Sequence, residues 1–379
     1  YNLAVSTQAF RVAVAPGALI LTILLLCWGC WIEDDLEPTT ITGIDFVTPH
    51  VSAGNASLHV MEATGYLCPD GANSQLYAVT PNSIDGPLPV ALLFHDEVLD
   101  YVTLDGSNFA MDNRLRAPWA IEQVRRSLGL SNPSTGPGLG EGAWAAALLE
   151  AGFAVIAPGN CWGDLWHGRG RNSIAEEGFM RLGASLADDS LRIAAEQLDI
   201  DENFVIAVGL GEGGRAFTEL IHAGVDLKAA AIDSTPDLLE ALLDQPMINA
   251  EYIVGLTHIY SDEVGHLVEA TDQVAALRTY TRRDSIVHLV TELELRLPII
   301  YSYSPTDPRV LSSLTEPAAV AIETSYQSPP GAYQLITRTE SVHVESNRSI
   351  DEARGLVAWL LEQTGPHFPD LGDDDSASP

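Results

Sequence analysis

Long apolar runs, each about as long as one strand, recur along most of the chain. The run Leu88–Phe94 (LPVALLF) is uninterrupted, which is typical of a strand covered on both faces in a parallel sheet. Similar runs come after it, and a shorter alternating stretch comes before it. The pattern predicts further strands at Gln75–Thr80, Phe153–Ala157, Phe204–Val208, Lys228–Asp233, Pro298–Tyr303 and Tyr333–Ile336.

Segments with a helical pattern separate several of these runs. Predicted helices cover Gly142–Ala151, Glu176–Leu198, a stretch beginning near Arg215, and Ile350–Glu362. Strand, helix and strand in this order form βαβ units, in which the two strands are parallel. We therefore predict an α/β fold with a doubly wound, mostly parallel sheet.

The remaining segments give the predicted domain organisation. Between the sheet elements, a Gly- and Pro-rich stretch is predicted to be an insertion. A largely helical stretch is longer than an ordinary connection, and we expect it to form a cap over the carboxyl edge of the sheet. The predicted parts are 1–32 (signal peptide or anchor), 33–74 (acidic tether and N-terminal strands), 75–364 (main domain, with the insertion at 105–141 and the cap at 234–297) and 365–379 (disordered acidic tail).

Composition narrows the range of partners. The net charge is −33, from 52 acidic and 19 basic residues, so the surface repels nucleic acid and anionic lipid. Apolar residues make up 46% of the chain, enough for a substantial core. Two explanations of the charge stay open: a solvated acidic shell on an exported protein, or a salt-adapted source.

The N-terminal segment Val12–Trp31 is apolar and nearly uncharged, with Arg11 before it and acidic residues after it. About 20 such residues can span a bilayer, and a basic residue on the N-terminal side favours export of the chain beyond the segment. Three alternatives remain: a cleaved signal peptide, a retained anchor, or a lipoprotein signal that ends with lipidation of Cys30. Each predicts an exported protein, periplasmic or at the cell surface, tethered or secreted.

The cysteines are consistent with export. If Cys27 and Cys30 belong to the leader, Cys68 and Cys161 remain as a possible disulfide pair in an oxidising compartment. Two unrelated buried thiols are the alternative. Histidines and cysteines nowhere have the spacing of a zinc site, so we expect no metal, and no cofactor.

The stretch Asn203–Phe217 (NFVIAVGLGEGGRAF) predicts a strand, a glycine-rich turn and a helix. This is the geometry of a nucleophile elbow, G-x-S-x-G, in which a strained turn lifts a serine above a parallel sheet. Here Gly211 stands at the position of that serine. Glycine adopts the left-handed backbone of such a turn without cost, but it has no atom that can attack a substrate.

The order of elements from about Gln75 to Glu362 resembles the α/β-hydrolase superfamily, and is most similar to its esterase, lipase and serine-peptidase-like branches. The matching landmarks are LLFHDE at the oxyanion strand and loop, EAGFAVIAPG before the elbow, VGLGEGG at the elbow, and SPTDP and ESVHVE where the acid and the histidine of a triad fall. The resemblance implies that His95 and Asp96 belong to the oxyanion loop. A carboxylate there would oppose a developing negative charge.

The same resemblance implies a triad acid at Asp307 and a triad base at His343, in the family order of nucleophile, acid and histidine. Histidine takes the proton of the nucleophile, and the carboxylate orients the imidazole. The alternatives are a turn residue for Asp307 and a surface loop histidine for His343. Loss of a triad member leaves roughly 10³–10⁴-fold acceleration over water, so we expect an impaired hydrolase.

Three other residues could supply the missing chemistry. Glu212 could act as a base on water with help from His343. Ser234 or Asp233 could serve as a displaced nucleophile or acid, although the cap of a following helix is the simpler role. We therefore expect an exported pseudoenzyme that binds a small-molecule, acyl or peptide ligand, or a partner, under its cap. An active ester or amide hydrolase is the alternative, and a purely structural surface lipoprotein is a third.

Overall fold

The computed structural model of the chain describes residues 39–42, 55–67, 73–94, 139–157, 190–237, 243, 270–307, 310, 312–327, 331–339 and 348–365. The strands are β1 Thr39–Thr42, β2 Ala56–Leu67, β3 Asn73–Pro81, β4 Leu88–Phe94, β5 Ala154–Ala157, β6 Ile200–Leu210, β7 Leu227–Asp233, β8 Ile299–Tyr303 and β9 Tyr333–Thr337. The helices are α1 Leu139–Glu150, α2 (described over 190–197), α3 Arg215–His222, α4 Ala270–Arg283, α5 Ile286–Thr291, α6 Ser312–Tyr326 and α7 Ile350–Thr364.

The strands form one sheet in the order β1-β2-β3-β5-β4-β6-β7-β8-β9. From β5 to β9 all neighbouring strands are parallel, which confirms the predicted mostly parallel sheet. The predicted strands at 75–80, 88–94, 153–157, 204–208, 228–233, 298–303 and 333–336 all coincide with observed strands, although several observed strands are longer.

The N-terminal strands belong to this same sheet. Strand β2 pairs with both β1 and β3, and β3 pairs with β5, in each case antiparallel. The predicted domain start at residue 75 therefore falls inside β3, and the sheet extends back to Thr39. This antiparallel part was hard to delimit because its pattern is weaker than that of the doubly covered strands.

Both faces of the sheet are covered by helices. Along β4, Val90, Leu92 and Phe94 pack into one core and Ala91 and Leu93 into the other, as the two-residue period of a strand requires. Helices α2, α3, α5 and α6 contribute to the first core, and α1 and α7 to the second. Each buried Leu or Phe contributes about 1.5–3 kcal/mol, so the uninterrupted apolar runs stabilise both layers at once.

In the described part of the segment 234–297, helices cover Ala270–Arg283 and Ile286–Thr291. Ile286, Leu289 and Val290 of α5 belong to the first core, so this helix covers a face of the sheet. Residues 238–242 and 244–269 lie outside the described residues, and a cap over the carboxyl edge stays a prediction. No helix in the described ranges has the length and apolar character to cross a bilayer.

Candidate active site

The predicted strand, turn and helix at the elbow are all present. Strand β6 ends at Leu210, Gly211–Gly214 form a short 3-10 turn, and α3 begins at Arg215. Gly211 has φ +53°, the left-handed conformation that side-chain-bearing residues rarely adopt. The backbone at this position therefore has the strained bend expected of an elbow.

Close packing explains two further glycines of the elbow. A Cβ on Gly209 would lie 2.3 Å from the Cα of Gly214, so the strand and the turn cross at backbone contact. A Cβ on Gly214 would lie 1.8 Å from Thr235 Oγ1. The glycine-rich sequence therefore reflects a lack of space as well as a need for unusual dihedral angles.

The elbow lies at a topological switch point of the sheet. Strand β4 is followed in the chain by β5 on one side of it and then by β6 on the other. Ligands of open α/β sheets bind outside the carboxyl ends of the strands at such points. Phe94, the last residue of β4, pairs with Gly209 of β6, so the end of β4 lies beside the elbow.

The turn after β7 holds the elbow from the other side. Thr235 Oγ1 donates a hydrogen bond of 2.7 Å to the carbonyl oxygen of Gly211. The hydroxyl of Tyr301 lies 3.3 Å from the carbonyl oxygen of Thr235 and 3.2 Å from that of Thr315, and can donate to either. Burial raises the pKa of the Tyr301 hydroxyl well above its usual range, so this group stays a proton donor. The elbow carbonyl is thus fixed by a buried network.

Ser234 and Asp307 meet at the carboxyl ends of β7 and β8. Ser234 Oγ donates to Asp307 Oδ2 at 3.2 Å, and Ser234 is 1% exposed. Its φ of +50° is unusual for a residue other than glycine, and its N–H donates to the carbonyl oxygen of Ser302 at 2.8 Å. Backbone strain of this kind tends to collect at functional sites.

Asp307 also has the contacts of a turn residue. Its Oδ1 accepts from the N–H of Val310 at 3.1 Å, and its own N–H donates to the carbonyl oxygen of Ser304 at 3.2 Å. Asp307 therefore lies at the strand end expected for a triad acid and takes part in a turn as well. Its pairing with His343 stays a prediction, because His343 lies outside the described residues.

A buried ion pair that the sequence did not reveal lies at the same edge. Arg348 donates to both carboxylate oxygens of Asp233, from Nε at 2.8 Å and from Nη2 at 2.7 Å, and both side chains are at most 1% exposed. Ser302 Oγ accepts from Arg348 at 3.0 Å, and Trp144 Nε1 donates to Asp233 at 3.1 Å. The guanidinium lies 5.4 Å from the centre of the Trp144 ring.

This cluster assigns a role to Asp233 that differs from the suggested catalytic ones. Its carboxylate joins β7 to Trp144 of α1 and to Arg348, which precedes the N-cap of α7. Arg348 in turn donates to Ser302 of β8. Arg348 also donates to Glu352 Oε1 of α7 at 2.9 Å. These contacts make Asp233 a structural anchor of the carboxyl edge, and its suggested role as a displaced acid stays a prediction.

Several predicted site residues lie outside the described residues. These are His95 and Asp96 of the oxyanion loop, the triad histidine His343, and Cys30, Cys68 and Cys161, which were predicted to carry a lipid or to form a disulfide. For Glu212 only the backbone is described, and its side chain is not. Their roles stay predictions. Within the described ranges, no three histidine, cysteine or carboxylate residues are grouped so as to hold a metal ion.

A groove of about 560 Å³ lies on α4 and α5. Its lining is basic and polar: Arg278, Thr279, Tyr280, Arg282, Arg283 and His288. Among the described residues, neither Gly211 nor Asp307 contributes to its lining. The groove is therefore not the crevice expected at the switch point.

No protein-family model matches the chain, and no curated protein matches it significantly. Solved structures do resemble it. Oligopeptidase B from Leishmania major aligns with a TM-score of 0.50 at 14% identity, over 82% of this chain and 37% of that one. Prolyl oligopeptidase B from Galerina marginata aligns with a TM-score of 0.50 at 11% identity, over 83% of this chain and 38% of that one.

Identities this low show the fold alone, and the chain spans less than two fifths of the length of either oligopeptidase. Both neighbours are α/β-hydrolase-fold proteins, and the mostly parallel sheet with its strand, turn and helix around Gly211 agrees with that fold. The chain therefore adopts a fold of the α/β-hydrolase type.

Proposed function

We propose that this chain is a hydrolase-like protein that has lost efficient catalysis because its elbow carries glycine where the nucleophile would be. The observation that supports this most directly is the left-handed backbone of Gly211 at the end of β6. In a nucleophile elbow, the residue at this position carries the attacking hydroxyl. Without it, no covalent acyl intermediate can form at the elbow.

The rest of the site favours binding over turnover. The Gly211 carbonyl is held by Thr235, and Asp307 Oδ2 already accepts the hydroxyl of Ser234. Such a network keeps the carboxyl edge rigid and polar. We propose that a small ligand, either an acyl compound or a peptide, binds at the switch point between β4 and β6. The peptide class is suggested by the neighbours, which are named as oligopeptidases.

A fluorophosphonate probe tests the proposal, because it labels activated serines. We expect no labelling of the wild-type protein. Gly211→Ser should restore labelling if Asp307 and His343 are still positioned as a triad, and Gly211→Ala is the matched control that adds a side chain without a hydroxyl. Labelling of the wild type would refute the proposal, and an inert Gly211→Ser variant would refute the assignment of Asp307 and His343.

One observation favours a second candidate, an active hydrolase with a displaced nucleophile. Ser234 combines a left-handed backbone with a hydroxyl that donates to a carboxylate. In this scheme Oγ attacks the carbonyl carbon of an ester and its proton passes to Asp307. The ester C–O bond then breaks, and the alcohol leaves with the proton that Asp307 returns. Water then hydrolyses the acyl enzyme. This displaced-nucleophile scheme ranks second, because a carboxylate is too weak a base to remove the proton of an alcohol readily.

Turnover of short p-nitrophenyl esters distinguishes the two candidates. The displaced-nucleophile scheme predicts turnover in the wild type that disappears in Ser234→Ala and in Asp307→Asn. The pseudoenzyme predicts background rates in all three proteins. Any turnover that survives His343→Ala would count against the pairing of Asp307 with His343.

We also propose that the protein is exported and held at the membrane. The apolar segment Val12–Trp31, preceded by Arg11 and followed by acidic residues, supports this. Cell fractionation should place the protein in the envelope fraction. Cys30→Ser should release it if the anchor is a lipid on that cysteine, and should have no effect if the segment itself is retained.

A further inference from the structure

A buried cluster of two carboxylates and one arginine joins the elbow helix α3 to the end of α4. Arg283, the last residue of α4, donates from Nη2 to Glu219 Oε1 of α3 at 2.9 Å and from Nε to Asp284 Oδ1 at 2.7 Å. The side chain of Glu219 is 4% exposed and that of Asp284 is fully buried. Water is thus largely excluded from the two carboxyl groups, whereas the Arg283 side chain is 26% exposed.

The charges in this cluster do not balance if both carboxyl groups are ionised. One guanidinium would face two carboxylates, and an unpaired buried charge is costly. Asp284 Oδ2 is buried and has no hydrogen-bond partner among the described residues. A proton on Glu219 removes the excess charge, and the side chains of Glu219 and Asp284 are close enough to share it in a hydrogen bond.

Burial and the neighbouring Asp284 carboxyl group favour a protonated Glu219. Burial, and then the negative charge of Asp284, raise its pKa from 4.5 to about 8, although Arg283 acts in the opposite direction. His222 of α3 contacts the carbonyl oxygen of Arg283 at 3.1 Å. The ring of Tyr280 lies 5.4 Å from the guanidinium, and Arg215 is buried one turn before Glu219 on α3.

We propose that Glu219 and Asp284 share one proton, and that its loss loosens α4 from α3. The cluster is then a pH-operated clamp between the helix that follows the elbow and the helices of residues 270–291. It is closed at neutral and mildly acidic pH and weakens in alkaline solution. The clamp does not depend on whether the elbow is catalytic, so its test is separate from the labelling experiments.

The sign of the pH dependence follows from proton linkage. A carboxyl group whose pKa is higher in the folded state binds more protons there than in the unfolded state. Its stabilising effect is complete below pH 4.5 and is lost as the pH rises towards about 8. Within that window the folded state binds one proton more than the unfolded state. The folding equilibrium constant therefore falls about tenfold for each unit by which the pH rises.

The experiment compares urea unfolding of the wild type with that of Glu219→Gln between pH 5 and 9. The amide imitates the protonated acid, so the ratio of the wild-type folding constant to that of the variant should fall by about 50-fold between pH 6 and pH 8. Glu196→Gln is the matched control, because Glu196 is 64% exposed and pairs with Arg192 one turn before it on α2. It should follow the wild-type profile through this range.

Hydrogen exchange of residues 270–283, corrected for the intrinsic pH effect, locates the change. Protection should decrease above pH 8 in the wild type and persist in Glu219→Gln. Asp284→Asn leaves one carboxylate for one arginine and should also flatten the stability profile, so the test stands even if the first variant folds poorly. Parallel pH profiles for the wild type and Glu219→Gln, or a full wild-type slope in Asp284→Asn, would refute the shared proton.

Discussion

Replacing Arg348 by methionine tests the buried ion pair at the carboxyl edge. Methionine has an apolar side chain of similar length, but it carries no charge. Asp233 then loses both hydrogen bonds from the guanidinium and keeps Trp144 Nε1 as a described donor. Because both partners are at most 1% exposed, the remaining carboxylate would be a buried charge without a counter-ion.

The expected loss is large. Removing one partner of a buried pair costs about 3–5 kcal/mol, against a total of about 5–15 kcal/mol for a typical domain. The matched control is Arg192→Met, which breaks the pair with Glu196 on α2, where the two side chains are 58% and 64% exposed. Exposed pairs of this spacing contribute about 0.3–0.5 kcal/mol.

Urea unfolding followed by far-ultraviolet circular dichroism measures both free energies. Adding Asp233→Leu to Arg348→Met removes the stranded charge, so the double variant should be more stable than Arg348→Met alone. The reasoning fails if Arg348→Met costs no more than Arg192→Met. It also fails if the second substitution makes the protein less stable still.

Two further predictions concern local geometry, each checked by the same unfolding measurement. Gly209→Ala should be strongly destabilising, because the new Cβ would meet the Gly214 backbone at 2.3 Å. In the control Gly355→Ala the new Cβ has nothing within 4 Å, and the change should stabilise α7 by about 0.5–1 kcal/mol. Equal effects of the two substitutions would contradict the close crossing of backbone at Gly209. Ser349→Ala should lower the free energy of unfolding by about 1 kcal/mol, because the Ser349 hydroxyl is the N-cap of α7 and accepts from the N–H of Glu352. An unchanged urea midpoint would show that this cap does not stabilise the protein.

Much of the sheet could be predicted because its strands are buried on both faces. Runs such as Leu88–Phe94 have no polar interruption, and the glycines around Gly211 mark a tight strand-to-helix turn. Helix α6 was not predicted, and Pro317 within it obscures the helical pattern, since proline usually ends a helix. The order of the strands depends on contacts between distant residues, which a local pattern does not encode.

The candidate site was predictable only in part. Asp307 could be placed at a strand end by resemblance, and Ser234 was a weak candidate at another. Their hydrogen bond depends on the two strands being neighbours, which the structure establishes. The pair of Asp233 and Arg348 is separated by 115 residues, and nothing in the local sequence of either marks a buried partner.

The central proposal is that this hydrolase-like protein has lost its activated serine nucleophile, because its elbow carries glycine. Intact-mass spectrometry and peptide mapping after fluorophosphonate treatment test it most directly, because they show both whether an adduct forms and where. The account predicts no mass increase for the wild type and one adduct at position 211 in Gly211→Ser. A stoichiometric adduct on the wild-type protein, at Ser234 or at any other serine, would contradict it.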